Sequence, residues 1–296
     1  MVALETRLYD DGRAPGAALA AAGAGAAALA GVAVRSATAA AYVSTSGRAL
    51  HAAALDVAAA LDAGDLDRAR AALTHLVGRD PHGLDEAGIA RAVVESVAEN
   101  TTDAVVAPAL WTAAGGAVGA FVHRAADTLD SMVGYRDDRY RRFGTAAARL
   151  DDAMAWVPAR ATAGLVALAR PARAAEVARI VRSDAAAHPS PNAGVAEAAF
   201  AAALGVRLGG ANRYGAVVEA RAALGRGRPP APADIPGAVA LSRDVSWLLA
   251  ALLAAAGLAA RHPRPAGRRP ARTSAPPAAL TAPGAWRRHR RRGPVT

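Results

Sequence analysis

The 296-residue chain is expected to fold as an all-α, polytopic membrane bundle, and three observations lead there. Alanine, valine and leucine recur with helical period, and no convincing strand-type alternation is present. Three long runs carry no charge: Ala14–Val34, Ala104–Val122 and Val245–Ala260, of 21, 19 and 16 residues. Spanning a bilayer takes about 20 apolar residues, with a range of roughly 17–25. The first two runs meet that length, and the third meets it with flanking residues. Finally, Gly115, Gly116 and Gly119 sit inside the second run, where they would weaken a water-exposed helix but let helices approach closely in lipid. Alanine adds little apolar area and the mean hydropathy is only +0.15, so a soluble helical bundle is the alternative.

Taken in order, Ala14–Val34 has the length of a span. The small residues around Ala33–Ala37 resemble a signal-peptide cleavage site, but Glu5, Asp10 and Asp11 precede the run where a signal peptide carries positive charge. "ALDVAAALDAGDLDRARAAL" has the 3.6-residue period. "GRDPHGLDEAGIARAVVESVAE" opens on a Pro/Gly turn, after which Asp85 caps a helix running to about Glu99. The run Ala104–Val122 leads into a polar stretch, residues 123–152. His188, Ser190 and Asn192 lie with two prolines in a turn, and Glu197 starts the next helical pattern. Residues 36–60, 153–169 and 198–208 are too short or too interrupted by arginine to count as spans. A single domain over residues 1–260 and a Pro/Arg-rich, disordered tail over 261–296 follow from composition.

Composition removes several chemistries. The chain has no cysteine, which excludes disulfides, thiolate metal sites and a cysteine nucleophile. It has no lysine either, which excludes a P-loop lysine and a lysine Schiff base. The formal net charge is +10, but the ten arginines of residues 261–296 account for all of it. The remaining 25 arginines balance 25 acids. The basic tail is expected to be a solubilising terminus or to rest on an anionic inner leaflet, ahead of binding nucleic acid, and it favours a cytoplasmic C-terminus.

Chemistry concentrates in three stretches. On a continuous helix Glu95, Glu99 and Asp103 share one face, and three carboxylates there repel unless a cation joins them. Oxygen ligands of this kind suit Mg²⁺. The alternative is helix capping by Asn100 or Thr102 with Asp103 at the dipole, which leaves Glu95 and Glu99 unexplained. In the second stretch Asp127 and Asp130 lie three apart on one face. "YRDDRYRRFG" then offers Arg136, Arg139, Arg141 and Arg142, whose forks match carboxylate and phosphate geometry; a charge-balanced interfacial loop is the plainer reading. In the third, Gly205, Gly209 and Gly210 form only a weak phosphate-cradle pattern, and His188 has no partner histidine at metal-site spacing.

These stretches, "GRDPHGLDEAGIARAVVESVAENTTDAVVAPALW", "DTLDSMVGYRDDRYRRFGTAAARLDD" with "WVPAR", and "HPSPNAGVAEAAFAAALGVRLGG" with "NRYG", resemble the CobD/CbiB family of cobalamin biosynthesis, adenosylcobinamide-phosphate synthase. The resemblance runs in order over roughly residues 5–260. It implies a multi-pass protein of the cell membrane that uses ATP and Mg²⁺, with no bound prosthetic group. The implied reaction joins a propionate of adenosylcobyric acid to (R)-1-amino-2-propanol or its O-phosphate. Glu95, Glu99, Asn100, His188 and Glu197 become candidate catalytic residues. Asp103, Asp127 and Asp130 become candidate Mg²⁺ ligands, and Arg136, Arg139, Arg141, Arg142, Asn192, Asn212 and Arg213 candidate substrate or ATP contacts. Membrane lipid and other cobalamin-assembly enzymes are the expected partners, and a non-catalytic corrinoid-binding scaffold is the alternative. The chain departs from the family pattern at Val195–Ala196, where Trp-Pro is commoner, and at Asp127, where Asn is common. It also begins after the family's usual opening segment and its Asp-Pro and His-Pro-Val motif, so a contribution of that motif to the site is in doubt.

Overall fold

A computed structural model describes residues 2–78, 81–135, 137–214 and 217–261. The compact unit covers residues 1–256; the remainder, residues 257–296, is described only through the end of its helix. The helices are α1 (Val2–Leu8), α2 (Arg13–Val34), α3 (Ala37–Ser44), α4 (Gly47–Asp62), α5 (Leu66–Leu73) and α6 (Glu86–Thr101). After a π-helical turn over Thr102–Val106 come α7 (Ala107–Val133), α8 (Thr145–Ala169), α9 (Ala174–Asp184), α10 (Ala193–Leu204) and α11 (Asp234–Arg261).

Three stretches are long and apolar enough to cross a membrane: Arg13–Val34, Glu86–Val133, which runs through α6, the π turn and the kinked α7, and Asp234–Ala260. Only 22–33% of their most apolar windows is buried inside the protein, and Leu29, Val32, Trp247, Leu252 and Leu258 face outward. Outward apolar surface on such lengths belongs in lipid, so the fold is an all-α membrane bundle. Its core lies between α4, α6, α10 and the first half of α11. Residues Ala193–Ala203 of α10 are all buried, which its run of small side chains permits.

Local chemistry explains the breaks. Asp85 caps α6 by accepting a hydrogen bond from the Gly88 N–H at 2.8 Å, as expected, although α6 runs on to Thr101. The periodic stretch of residues 54–73 is two helices, because Gly64 turns at φ +73° between α4 and α5. Capping at Asn100–Asp103 is ruled out. Thr101 keeps helical dihedrals, and the chain passes through the π turn, where the Ala107 N–H donates to the Thr102 carbonyl. The Ala104 carbonyl in that turn accepts from the Ser46 N–H at 3.0 Å.

The glycines of the second run also do something other than expected. Gly116 kinks α7 at φ +60°, and a Cβ on Gly119 would strike the Trp111 carbonyl. The close helix approach is made from the other side, where a Cβ on Gly31 of α2 would lie 2.6 Å from the Val118 Cα. Pro158 within α8 has no N–H for the Met154 carbonyl, and the Trp111 indole donates to it instead at 2.9 Å.

One element was not expected. Strands β1 (Leu208–Tyr214) and β2 (Val217–Leu224) form an antiparallel hairpin with an irregularity between Leu208 and Gly210. Gly209 and Gly210 adopt positive φ there (+82° and +101°), and such a bulge erases the two-residue alternation by which a strand is recognised.

Candidate functional site

A cavity of about 380 Å³ opens where α6, the π turn, α7, α8 and the turn before α10 meet. Glu99, Asp103, Asp130, Asp151 and Asp152 line it, and no arginine does among the described residues. Thr102, Ser190 and Asn192 supply neutral polar groups. The walls are fixed by bonds between helices. The Thr102 hydroxyl donates to Thr162 at 3.0 Å, which in turn donates to the Pro158 carbonyl. Asn192 donates from Nδ2 to the Asp152 carbonyl at 2.8 Å and accepts from Arg160 at 2.7 Å, so it ties the turn before α10 to α8. The Arg160 guanidinium stacks on Trp156 at 4.5 Å.

Electrostatics follow from the lining. Burial, and then the charges of Asp130, Asp127, Asp152 and Glu99, push the Asp151 carboxyl up to about 7. So many carboxylates, with no arginine among the described lining residues, form a site that attracts a cation. Among the described residues no three acidic or histidine side chains converge as a ready-made metal cage. Mg²⁺ needs no such cage, since it binds through one or two carboxylates and completes its shell with water and phosphate oxygens. Glu99, Asp103 and Asp130 are the residues able to hold it.

The expected site residues therefore divide. Glu99, Asp103, Asp130 and Asn192 meet at the cavity. Glu95 does not line it. Its carboxylate accepts from the Gly209 N–H at 2.9 Å and lies 3.8 Å from Arg91, anchoring the hairpin to α6. Asn100 donates to the Ser96 carbonyl one turn back at 2.9 Å. Asp127 pairs with Arg124 at 2.9 Å, so it acts on the cavity through its charge.

His188 and Glu197 form a buried pair, Nε2 to Oε1 3.6 Å, behind the wall that carries Ser190. His188 Nδ1 lies 3.0 Å from the Ser190 backbone nitrogen and 3.2 Å from the Ser190 carbonyl oxygen, so the ring is held by the Ser190 backbone while Nε2 faces Glu197.

The loop arginines stay outside the cavity. Arg139 pairs with Glu5 of α1 at 3.1 Å and lies over Tyr9, Arg141 pairs with Asp138 at 3.0 Å, and Arg142 is exposed. Asn212 and Arg213 have their backbones in β1, opposite Glu219 and Val218. Arg136 lies outside the described residues. Gly205 ends α10 in the left-handed conformation, and Gly209 and Gly210 serve the bulge, so none of the three builds a phosphate cradle. The residues that sequence reasoning missed are Asp151 and Asp152; the acidic doublet in "ARLDD" was their signal.

Comparisons with known proteins identify the family. The family model described as CobD/Cbib protein matches residues 10–242. A cobalamin biosynthesis protein CobD of Mycobacterium tuberculosis is 54% identical over 188 residues, 62% of this chain and 60% of that protein. The Pelobacter propionicus CobD is 48% identical over 172 residues, covering 57% of this chain and 53% of its own length. That of Rhodobacter capsulatus is 48% identical over 197 residues, 66% of this chain and 62% of its own. The matched region thus spans about three fifths of these relatives. No solved structure matches. With most of its length matched and the acidic cavity built within the matched residues, the chain belongs to the CobD/Cbib protein family.

Proposed function

We propose that the protein acts in cobalamin biosynthesis as an ATP-dependent amide ligase. It would join a propionate of adenosylcobyric acid to (R)-1-amino-2-propanol or its O-phosphate. The observation that carries this reading is convergence: Glu99 and Asp103, Asp130, Asp151 and Asp152, and Ser190 and Asn192 come from three separate stretches and line one cavity. Its volume of about 380 Å³ suits the reacting groups, with the corrinoid ring outside and one propionate arm reaching in.

A carboxylate is a poor electrophile, so ATP first phosphorylates the propionate, releasing ADP. The amine nitrogen then attacks the acyl carbon, phosphate leaves, and the nitrogen loses a proton. Bound Mg²⁺ would neutralise the triphosphate and orient it. One or two of Glu99, Asp103 and Asp130 would hold that ion, and the charge of the cluster would keep unaccompanied phosphate out. Asp151, on the same wall, receives the amine proton, a role that hydrogen-bond reach from the cavity favours over the buried His188–Glu197 pair. That pair instead positions Ser190. The protein works in the cell membrane, with its basic C-terminal tail on the cytoplasmic side.

Membranes carrying the full chain test this. With adenosylcobyric acid, aminopropanol phosphate, ATP and Mg²⁺ they should form the amide and ADP in equal amounts, and Glu99→Gln should abolish both. Corrinoid binding with no ATP turnover would instead identify a scaffold.

A further inference from the structure

A second, larger cavity of about 1130 Å³ lies on the other flank of the π turn, between α3, the start of α4 and the middle of α11. Its lining is mostly apolar, with Val43, Leu55, Val105 and Trp247 among the contributors. Among the described residues it contains two arginines, Arg48 and Arg243, and no carboxylate. Neither arginine has an ion-pair partner among the described residues, although Asp244 beside Arg243 is taken by Arg170 at 2.8 Å.

The positions are regular. Arg48, His51, Ala52 and Leu55 follow at i, i+3, i+4 and i+7 on α4, and Arg243, Ser246 and Trp247 at i, i+3 and i+4 on α11, so each set shares a helix face. The floor is polar but satisfied: His51 Nε2 and the Ser242 hydroxyl lie 2.9 Å apart, and Thr101 donates to Ser242 at 2.7 Å. Burial, and then the charge of Arg243, hold the His51 imidazole below its usual range, so the floor stays neutral and the cationic character belongs to the arginines.

Depth identifies the occupant. Along α11 the residues up to Val245 alternate into the core, whereas the uncharged stretch that follows faces outward almost throughout. Arg243 therefore stands at the edge of the lipid-facing part, with Trp247 one turn inside it. Tyr42, 86% exposed, and Trp247, 76% exposed, flank the opening in the manner of interfacial aromatic residues.

We propose that this cavity binds an anionic phospholipid, with its phosphate held by Arg48 and Arg243 and an acyl chain laid against Val43, Leu55, Val105 and Trp247. Guanidinium forks match phosphate geometry, and the apolar lining matches a hydrocarbon chain.

The test uses the full chain purified in detergent and incubated with equal amounts of phosphatidylglycerol and phosphatidylcholine, with retained lipid measured by native mass spectrometry. The native protein should retain phosphatidylglycerol with about tenfold preference. The double variant Arg48→Gln/Arg243→Gln should lose most of that preference. The arginine-rich tail is present in both proteins, so the difference between them reports on the cavity. Ala52→Trp, which fills the cavity and leaves both arginines in place, should lower total retained lipid. A preference that survives the double variant overturns the proposal, as does equal retention of both lipids by the native protein. Displacement of the lipid by millimolar glycerol phosphate also overturns it, because the ligand would then be a soluble phosphate ester.

Discussion

The two cavities share a wall and have opposite chemistry. Among the described residues, Thr102 and Asp103 share one flank of the π turn with four further carboxylates and no arginine, and Val105 shares the other with two arginines and no acid. The smaller site is polar and braced by hydrogen bonds between helices, as reacting groups require. The larger is apolar and opens between exposed aromatic side chains, as a lipid tail requires. The difference shows how one helical segment serves two solvents. Asp103 and Val105, two residues apart in the π turn, line opposite sides, so a polar and an apolar residue close in sequence become the linings of two unlike compartments.

The sharpest way to break the contrast is at the acidic flank. Glu99→Gln or Asp103→Asn should lower kcat by about a hundredfold or more while leaving the helical circular dichroism unchanged. Arg141→Ala, an exposed residue paired only with Asp138, should change kcat by less than about twofold. A large loss there would return the loop arginines to the active site.

The next test is thermodynamic. Asp151 has a folded-state pKa of about 7, above the unfolded carboxylate value, so above pH 7 its charge costs the folded state stability. That cost is relieved as pH falls through 7 and is gone below the unfolded value. Asp151→Asn should therefore stabilise the protein at pH 8 by on the order of 2 kcal/mol and flatten its thermal stability between pH 5 and pH 8. An unchanged pH profile would mean that solvent already screens the cluster.

Mg²⁺ supplies a third test. Millimolar Mg²⁺ should raise Tm by a few degrees in the native protein, and by less in Asp130→Asn. Equal shifts in both would place the cation elsewhere.

The smallest effect belongs to the floor of the larger cavity. Ser242→Ala removes the link between Thr101 and His51 and should cost about 1 kcal/mol in denaturant unfolding. A loss several times that size would show that the floor helps hold the two flanks together.

How much of this was legible in sequence depended on distance along the chain. Glu99 with Asp103, and Asp127 with Asp130, were readable because helical spacing alone puts them on one face. The three spans were readable from charge-free length. Asp151 and Asp152 lie in the second motif without a helical-spacing partner, because only the packing of α8 against the π turn and α7 brings them to Glu99. Glu95 was misleading for a related reason: its spacing fits the acidic face, but the folded hairpin claims its carboxylate through the Gly209 N–H. The arginines of residues 139–142 matched phosphate chemistry by type, yet Arg139 found Glu5, more than a hundred residues earlier, and Arg141 found Asp138 nearby. The hairpin escaped notice because positive-φ glycines interrupt its alternation.

The π turn also sets the phase of a helix 48 residues long. An α-helix advances about 100° per residue, and the wide turn accommodates one residue beyond that count. Removing one residue would let Thr102–Val106 close to an α turn with Asp130 still toward Glu99, whereas removing a second would leave the helix still apolar enough to span. It would also swing Asp130 by about a quarter-turn or more away from Glu99. Changes beyond one residue in this segment are thus silent to hydropathy and decisive for the cavity. The segment works as a timing mark between the two halves of the helix, and its length constrains the site as tightly as any side chain does.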